Sequence, residues 1–422
     1  MRPLALLLLA AAPAAGQDTL RLPALQSAAV RQDPRLRQAE LREAQAELRL
    51  RNLAVQRYPQ LTTNGEATYQ SEVASIPVNI PGVEVPEPPK ARVEAALNAD
   101  LLLYDGGALE ARRAAERAQL AAEKAEIAAT LYPLRAEVSQ SFFSALLLQE
   151  RMRESATLIE ELEARLALVR SRVLAGAALP GDTAALRADL LRVQQQRQEL
   201  AAERRVALLV LGRLTGREIS GADVLVLPEL ASERMASAEL RPHPQYELFA
   251  ARGEALERQA AVIRARSRPQ ASAFGKLAYG RPGLQQFTDE FHEYGLVGIR
   301  VRWAPWDWGA NRRERQELRL QREILDTEEA AFAERLRRQV ERPLAAITRL
   351  REALETDERI IALREQIVRQ TRAQFDERAV TAAQYVDALT DLEAARVARL
   401  RHRVELVQAR ADYLNILGVE LR

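Results

Sequence analysis

The chain has 422 residues, 28% charged and only 5% aromatic, and its 61 basic residues are matched by 59 acidic ones for a formal charge of +2. Charge this balanced, interspersed along the sequence, gives no electrostatic footprint for nucleic acid, and the composition suits long solvated helices better than a bulky globular core. There is no cysteine, which excludes disulfides, thiolate metal sites, cysteine nucleophiles and an N-terminal lipid-bearing cysteine. His243, His292 and His402 are scattered, with no partner at metal-ligand spacing, so neither metal nor cofactor is expected.

Residues 1–16 read as a cleaved signal peptide: Arg2 is the positive end, Leu4 to Ala12 the apolar run, and Ala14-Ala15-Gly16 the small residues before the cut. That run is too short to span a bilayer, and no other stretch reaches the roughly 18 apolar residues of a membrane helix. An exported chain of this kind crosses a membrane with strands or not at all.

From residue 17 the chain divides into a first repeat (17–216), a linker (217–241) and a second repeat (242–422). Asp105 to Gly216 lies over Asp307 to Gly418 at a constant offset of 202 residues, and Pro59-Gln60, Gly65 and Tyr69 lie over Pro269-Gln270, Gly275 and Tyr279 at an offset of 210. One unit used twice, helix–strand–strand–long helix–helix, with one loop of variable length, explains both offsets.

In the first repeat a helix over about Leu36 to Gln56 leads into strands at about 60–71 and 92–103. Leu61, Thr63, Gly65, Ala67 and Tyr69 alternate with Thr62, Asn64, Glu66, Thr68 and Gln70; Val93, Ala95, Leu97 and Ala99 alternate with Arg92, Glu94, Asn98 and Asp100. In the second repeat, after a helix over about Gln245 to Arg266, strands at about 270–280 and 293–304 repeat the pattern. There Val297, Ile299 and Val301 alternate with Gly298, Arg300 and Arg302. Alternation over about ten residues matches a membrane β-strand, with an apolar face to lipid and Glu66, Arg92, Glu94, Asp100, Arg300 and Arg302 to a watery lumen. A soluble antiparallel sheet with one face on a core is the other reading. Four strands cannot close a barrel, and open edges are not tolerated in hydrocarbon. Other copies must supply closure, and water-seeking lumenal charges favour three copies over two. Ile76 to Pro89 and Arg281 to Phe291 are then the outer loops.

Each strand pair ends in an aromatic-Asp-x-Gly step, Tyr104-Asp105-Gly106-Gly107 and Trp306-Asp307-Trp308-Gly309, and then a long helical hairpin, about 106–211 and 308–417. Some 65–70 helical residues run about 100 Å. Pro133 is expected to kink the first long helix; its counterpart, Arg335, leaves the second unkinked. The apolar positions are small and sparse, a narrow coiled-coil seam. The hairpins turn at Gly176 to Asp182 and Asp376 to Ala382, and in the linker Leu225-Val226-Leu227-Pro228 reads as extended.

At these residues the chain resembles the TolC-like outer membrane efflux protein family. The ordered set, occurring twice, carries the resemblance: the Pro-Gln strand starts, the aromatic-Asp-x-Gly steps, the hairpin tips and the Leu-x-x-Leu-x-Gly ending at Gly216. The resemblance implies a mainly α fold with a membrane β contribution. Three copies form a channel-tunnel, a twelve-stranded barrel in the outer membrane of a diderm bacterium continued by an α-helical barrel through the periplasm. The implied function is a passive exit duct for a tripartite efflux or type I secretion system. Its implied partners are a periplasmic adaptor protein, an inner-membrane pump of the RND or ABC type, and outer-membrane lipid. The tip residues Gly176, Leu179, Asp182, Asp376, Glu377, Arg378 and Thr381 become the periplasmic gate and adaptor-docking positions, with Arg378 pairing with Asp376 or Glu377 or with a neighbouring copy. Tyr104, Asp105, Gly107, Trp306, Asp307 and Gly309 become the strand-to-helix transition. The chain departs from many members in lacking a lipidated cysteine. An exported coiled-coil scaffold or adhesin stalk without a pore is the alternative, and it leaves the amphipathic strands without a purpose. No constellation of acid, base and nucleophile suggests an enzyme.

Overall fold

A computed structural model of the protein describes residues 19–73, 87–230, 243–285 and 289–421. The signal segment 1–16, most of the Ile76–Pro89 loop, the centre of the Arg281–Phe291 loop and the end of the linker lie outside the described residues.

In chain order the elements are β1 (Thr19–Leu20), α1 (Leu22–Gln32), α2 (Leu36–Val55), β2 (Gln60–Tyr69), β3 (Ala91–Tyr104), α3 (Ala108–Leu131), α4 (Leu134–Leu174), α5 (Pro180–Thr215) and β4 (Val224–Leu225). They continue with α6 (Pro244–Arg266), β5 (Gln270–Arg281), β6 (His292–Arg302), α7 (Ala310–Asp376) and α8 (Ala382–Ile416). Among the described residues no helix is long and apolar enough to cross a membrane.

Local chemistry sets the helix boundaries. The first long helix breaks between α3 and α4 at Tyr132-Pro133, where proline has no N–H to donate to the preceding turn. At the equivalent Arg335, α7 runs on unbroken for 67 residues in all, and it also passes through Pro343. α5 opens on Pro180 at its first turn and stops at Gly216, whose φ of 64° is left-handed. A side chain there would also meet Gln32, 2.5 Å from an added Cβ. Gly418 ends α8 in the same conformation, so both repeats use the glycine that an αL terminator favours.

The chain folds into two compact units, each drawn from both repeats. One comprises residues up to 36, 128–244 and 331–422 and is helical. Its main core joins Leu22, Leu25 and Ala29 of α1, Phe142, Phe143 and Leu146 of α4, Leu208 and Leu211 of α5, and Val404, Val407 and Leu414 of α8. β1 pairs in parallel with β4, so the linker residue expected to be extended, Leu225, is in a strand and buried. Gln149 extends this pairing: its amide accepts from Leu225 N–H and donates to Leu225 C=O, both at 3.0 Å. Arg204, buried beside it, donates to the carbonyls of Gly221 and Asp223 at 2.7 Å.

Buried apolar residues of α7 and α8 cluster at Ile347, Leu350, Leu406 and Ala409 and again at Phe375 and Tyr385, with Ile361 buried between them. The same stretch carries polar pairs: His402–Asp357 at 2.7 Å, Arg399–Glu358 at 3.0 Å, Arg396–Glu365 at 3.1 Å and Arg364–Asp391 at 2.6 Å. The narrow apolar seam read from the sequence lies on the first long helix, where Leu162 and Val169 are buried with Leu186, Leu190 and Val193 of α5.

The other unit, residues 37–127 and 245–330, holds the four-stranded antiparallel sheet in the order β2-β3-β5-β6. β3 and β5 pair across the repeat boundary, Leu97 opposite Leu277 and Asn98 opposite Lys276. This makes one sheet of two hairpins. The sheet is open: β2 and β6 each have one edge without a strand partner among the described residues. Its helices meet through small residues such as Ala46, Ala118 and Ala122 and through pairs such as Lys124–Glu43 at 2.8 Å and Arg252–Glu126 at 3.0 Å.

Candidate functional site: an amphipathic sheet and two hairpin tips

Because residues directly opposite in a ladder share a face, the register sorts every strand side chain. One face carries Leu61, Ala67, Val93, Leu97, Leu277, Tyr279, Val297, Ile299 and Val301. It is uncovered: Leu61 is 68% exposed, Leu277 65%, Ile299 71% and Val297 85%. A soluble sheet would rest this face on a core; among the described residues no helix covers it.

The other face is polar and carries all six residues expected there: Glu66, Arg92, Glu94, Asp100, Arg300 and Arg302. Glu94 is its hub, only 8% exposed. It accepts from Arg92 and from the Tyr294 hydroxyl, each at 2.8 Å, and from Lys276 Nζ. Glu66 lies opposite Glu94, one ladder step from Arg92. Nearer the helices, Asp100 stands 3.6 Å from Arg300, whose guanidinium lies 4.6 Å from the Phe274 ring centre. Lys276 and Tyr294 were not among the lumenal residues expected from the sequence; their place on the polar side of the alternation was the available signal.

The two strand-to-helix steps have one geometry. Asp105 accepts from the backbone N–H of Gly107 at 2.9 Å and of Leu109, and Asp307 accepts from Gly309 at 2.8 Å and Asn311 at 2.9 Å. These bonds, Asn311 first, hold the Asp307 carboxyl below the usual range. Each aspartate fills donors that a helix start leaves open. The turn then needs two left-handed residues, Gly106 and Gly107 in one copy and Trp308 and Gly309 in the other. Tyr104 closes β3 after an irregularity in its pairing with β5, and Trp306 packs edge-on against Trp308 at 5.7 Å.

The tips also share a geometry. Gly176 and Arg378, 202 residues apart, both sit in the left-handed region, at φ 70° and 65°. Ala177 N–H closes on Arg172 C=O in one tip as Ala379 N–H does on Gln374 C=O in the other. Leu179 and Thr381 are the following N-caps: Thr381 exchanges hydrogen bonds with Gln384, whereas Leu179 has only the carboxylate of Asp182 on its N–H at 3.3 Å. Asp182 also accepts from Ala382 N–H at 3.2 Å, which ties α5 to α8.

Within the chain Asp376 is paired with another helix. Its partners are Arg172 at 3.1 Å and Arg165 at 3.4 Å, both on α4, while no ion pair joins Arg378 to Asp376 or Glu377 among the described residues. The reason is the turn itself: a left-handed residue at 378 ends the helix, whereas Asp376 is still on α7, against α4. Arg165 is 6% exposed, with its guanidinium 4.5 Å from the Tyr385 ring centre and 5.3 Å from that of Phe375. Sequence reasoning missed it, although an arginine at a seam position between Leu162 and Val169 was the signal. A cleft of about 250 Å³ lined by Arg172, Leu179, Asp182, Phe375, Arg378 and Thr381 opens beside it.

Arg378→Gly is expected to stabilise the second tip by about 1 kcal/mol, because a side chain at positive φ costs roughly that much and glycine does not. Slower limited proteolysis at residues 376–382 would show it. Unchanged or faster cleavage would mean that the arginine side chain contributes more than the turn costs.

Solved structures of outer membrane channels share this overall fold. The chain aligns over 94% of its length with 92% of CusC at a TM-score of 0.65 and 18% identity. It aligns over 95% with 97% of VceC from Vibrio cholerae, at 0.64 and 15%. It aligns over 95% with 90% of MtrE from Neisseria gonorrhoeae, solved in an open state, at 0.63 and 18%. Residues 25–217 match the family described as outer membrane efflux protein. The TolC-like resemblance drawn from the two repeats is met in both comparisons. No curated protein sequence matches the chain.

Proposed function

We propose that three copies of this chain form the outer-membrane exit duct of a tripartite efflux or type I secretion system. The observation that carries the reading is the sheet, with an apolar face left bare, a polar face with a satisfied carboxylate hub, and two free edges. In water such a surface would aggregate. In a bilayer the bare face meets lipid, and the edge of β6 pairs with β2 of the next copy, giving twelve strands around an aqueous bore. Strands of 10 to 14 residues suffice to cross when tilted.

In this reading residues 1–16 are removed on export, and 17–216 and 242–422 are the two structural repeats joined by 217–241. The protein sits in the outer membrane and reaches into the periplasm. The helix tips face an adaptor protein and an inner-membrane pump of the RND or ABC type. Passage through the duct is passive and the pump supplies the energy. The tips gate the bore, and the Asp376–Arg165–Arg172 cluster holds them.

Extraction from outer membranes tests the reading. The expected result is a protein that needs detergent to stay in solution and migrates as a trimer unheated and as a monomer after boiling. A purified monomer that remains soluble without detergent would overturn it.

A further inference from the structure

Along its strands the polar face of the sheet divides into two tiers of different character. The tier around Glu94 is balanced, with Glu66 and Glu94 against Arg92 and Lys276, and its hub is filled by three donors. The tier next to the Tyr104 and Trp306 steps is not balanced. It holds one acid, Asp100, against Arg300 and Arg302.

The donors of this second tier are also unspent. Asp100 is 3.6 Å from Arg300, beyond a good hydrogen bond. The Phe274 ring fixes the Arg300 plane from one side without using its N–H groups. Arg302 is exposed and makes no ion pair or side-chain hydrogen bond among the described residues. The two arginines border a half-open cavity of about 240 Å³, whose other polar walls are Gln56, Gln60, Asp100, Gln270 and Ser272. A planar guanidinium fork with free donors matches carboxylate, sulfonate and phosphate oxygens two at a time.

We infer that this tier is a selectivity ring for oxyanions: Arg300 and Arg302 bind and favour solutes carrying carboxylate, sulfonate or phosphate groups as they leave the helical part of the duct. The inference rests on the duct reading and adds to it the chemical class of cargo. Rings of charged side chains are a general way for pores to select. Here each chain contributes one net positive charge, and the neighbouring tier contributes none to cancel it.

The test uses the purified protein in planar bilayers under a KCl gradient, with the reversal potential giving the chloride-to-potassium permeability ratio. Arg302→Gln, which removes one charge from each of three chains around the bore, is expected to lower that ratio about threefold or more, the order set by Coulomb interactions across water. Asp100→Asn is expected to raise it by a similar factor. Opposite shifts from two neighbouring substitutions are not what simple loosening of the sheet would give. Inorganic triphosphate is expected to block the current, and Arg300→Gln with Arg302→Gln together to weaken that block by about tenfold or more, while Arg302→Lys keeps most of it. If the variants conduct with the wild-type ratio and the wild-type triphosphate block, the ring does not select and the duct reading stands. If the wild-type protein forms no conducting pore, the duct reading falls and the ring with it.

Discussion

Val297→Arg is expected to prevent assembly of the protein into the outer membrane. Val297 is at the middle of β6 on the bare face and is 85% exposed. A lipid-facing arginine at the bilayer midplane costs about 2–4 kcal/mol, and three copies multiply it to roughly 6–12 kcal/mol per trimer. The same substitution in a soluble sheet would fall at an exposed site and change stability by about 0.5 kcal/mol or less. Thr62→Arg is the control, because Thr62 opposes Asn98 on the polar face, and it should assemble normally. Heat-modifiable migration of membrane extracts separates the outcomes. Normal trimers of Val297→Arg would place this face somewhere other than lipid.

Asp376→Ala is expected to open the tips. It removes the one carboxylate that, among the described residues, pairs with Arg165, a 6% exposed cation whose Nη2 has no hydrogen-bond partner there. Breaking a fully buried pair costs about 3–5 kcal/mol. Asp376 is itself partly exposed, so about 2–3 kcal/mol is the better figure after solvent screening. The loss falls on the contact between α4 and the end of α7. Single-channel conductance should rise, and cells should take up a large hydrophilic antibiotic that the outer membrane excludes. Adding Arg165→Met should recover part of the closure, because it removes the stranded charge and keeps the packing against Phe375 and Tyr385. Arg378→Ala, at a position without an ion pair in its tip, should change conductance little. Equal opening by Arg378→Ala, or none by Asp376→Ala, would remove Asp376 from the gate.

Several features of the sequence were sufficient for what they govern. Period-two alternation put Arg92, Glu94, Asp100, Arg300 and Arg302 on one face and Val93, Leu97, Val297 and Ile299 on the other, because alternation of side chains along a strand is a property of the backbone alone. Asp105 and Asp307 were legible for the same reason, since an aspartate before a helix start serves donors only two and four residues away. Even the left-handed Arg378 and Trp308 were readable by offset, lying over Gly176 and Gly106, although their residue types argue against that conformation.

What the tertiary structure decided was which groups meet across long separations. From the sequence Arg378 could pair with Asp376, with Glu377 or with a neighbouring copy; within the chain the partners of Asp376 are on α4, with Arg165 211 residues away. Glu94 was read as one lumenal charge among several, but the β3–β5 pairing brings it Lys276 from the other repeat and makes it a saturated hub. The same pairing joins two hairpins into one open sheet, and the fold leaves that sheet's apolar face bare. Alternation, capping and turns are short-range and written into adjacent residues. The choice among chemically equivalent arginines, and whether an apolar face is covered, depend on chain segments hundreds of residues apart, so only the assembled fold could fix them.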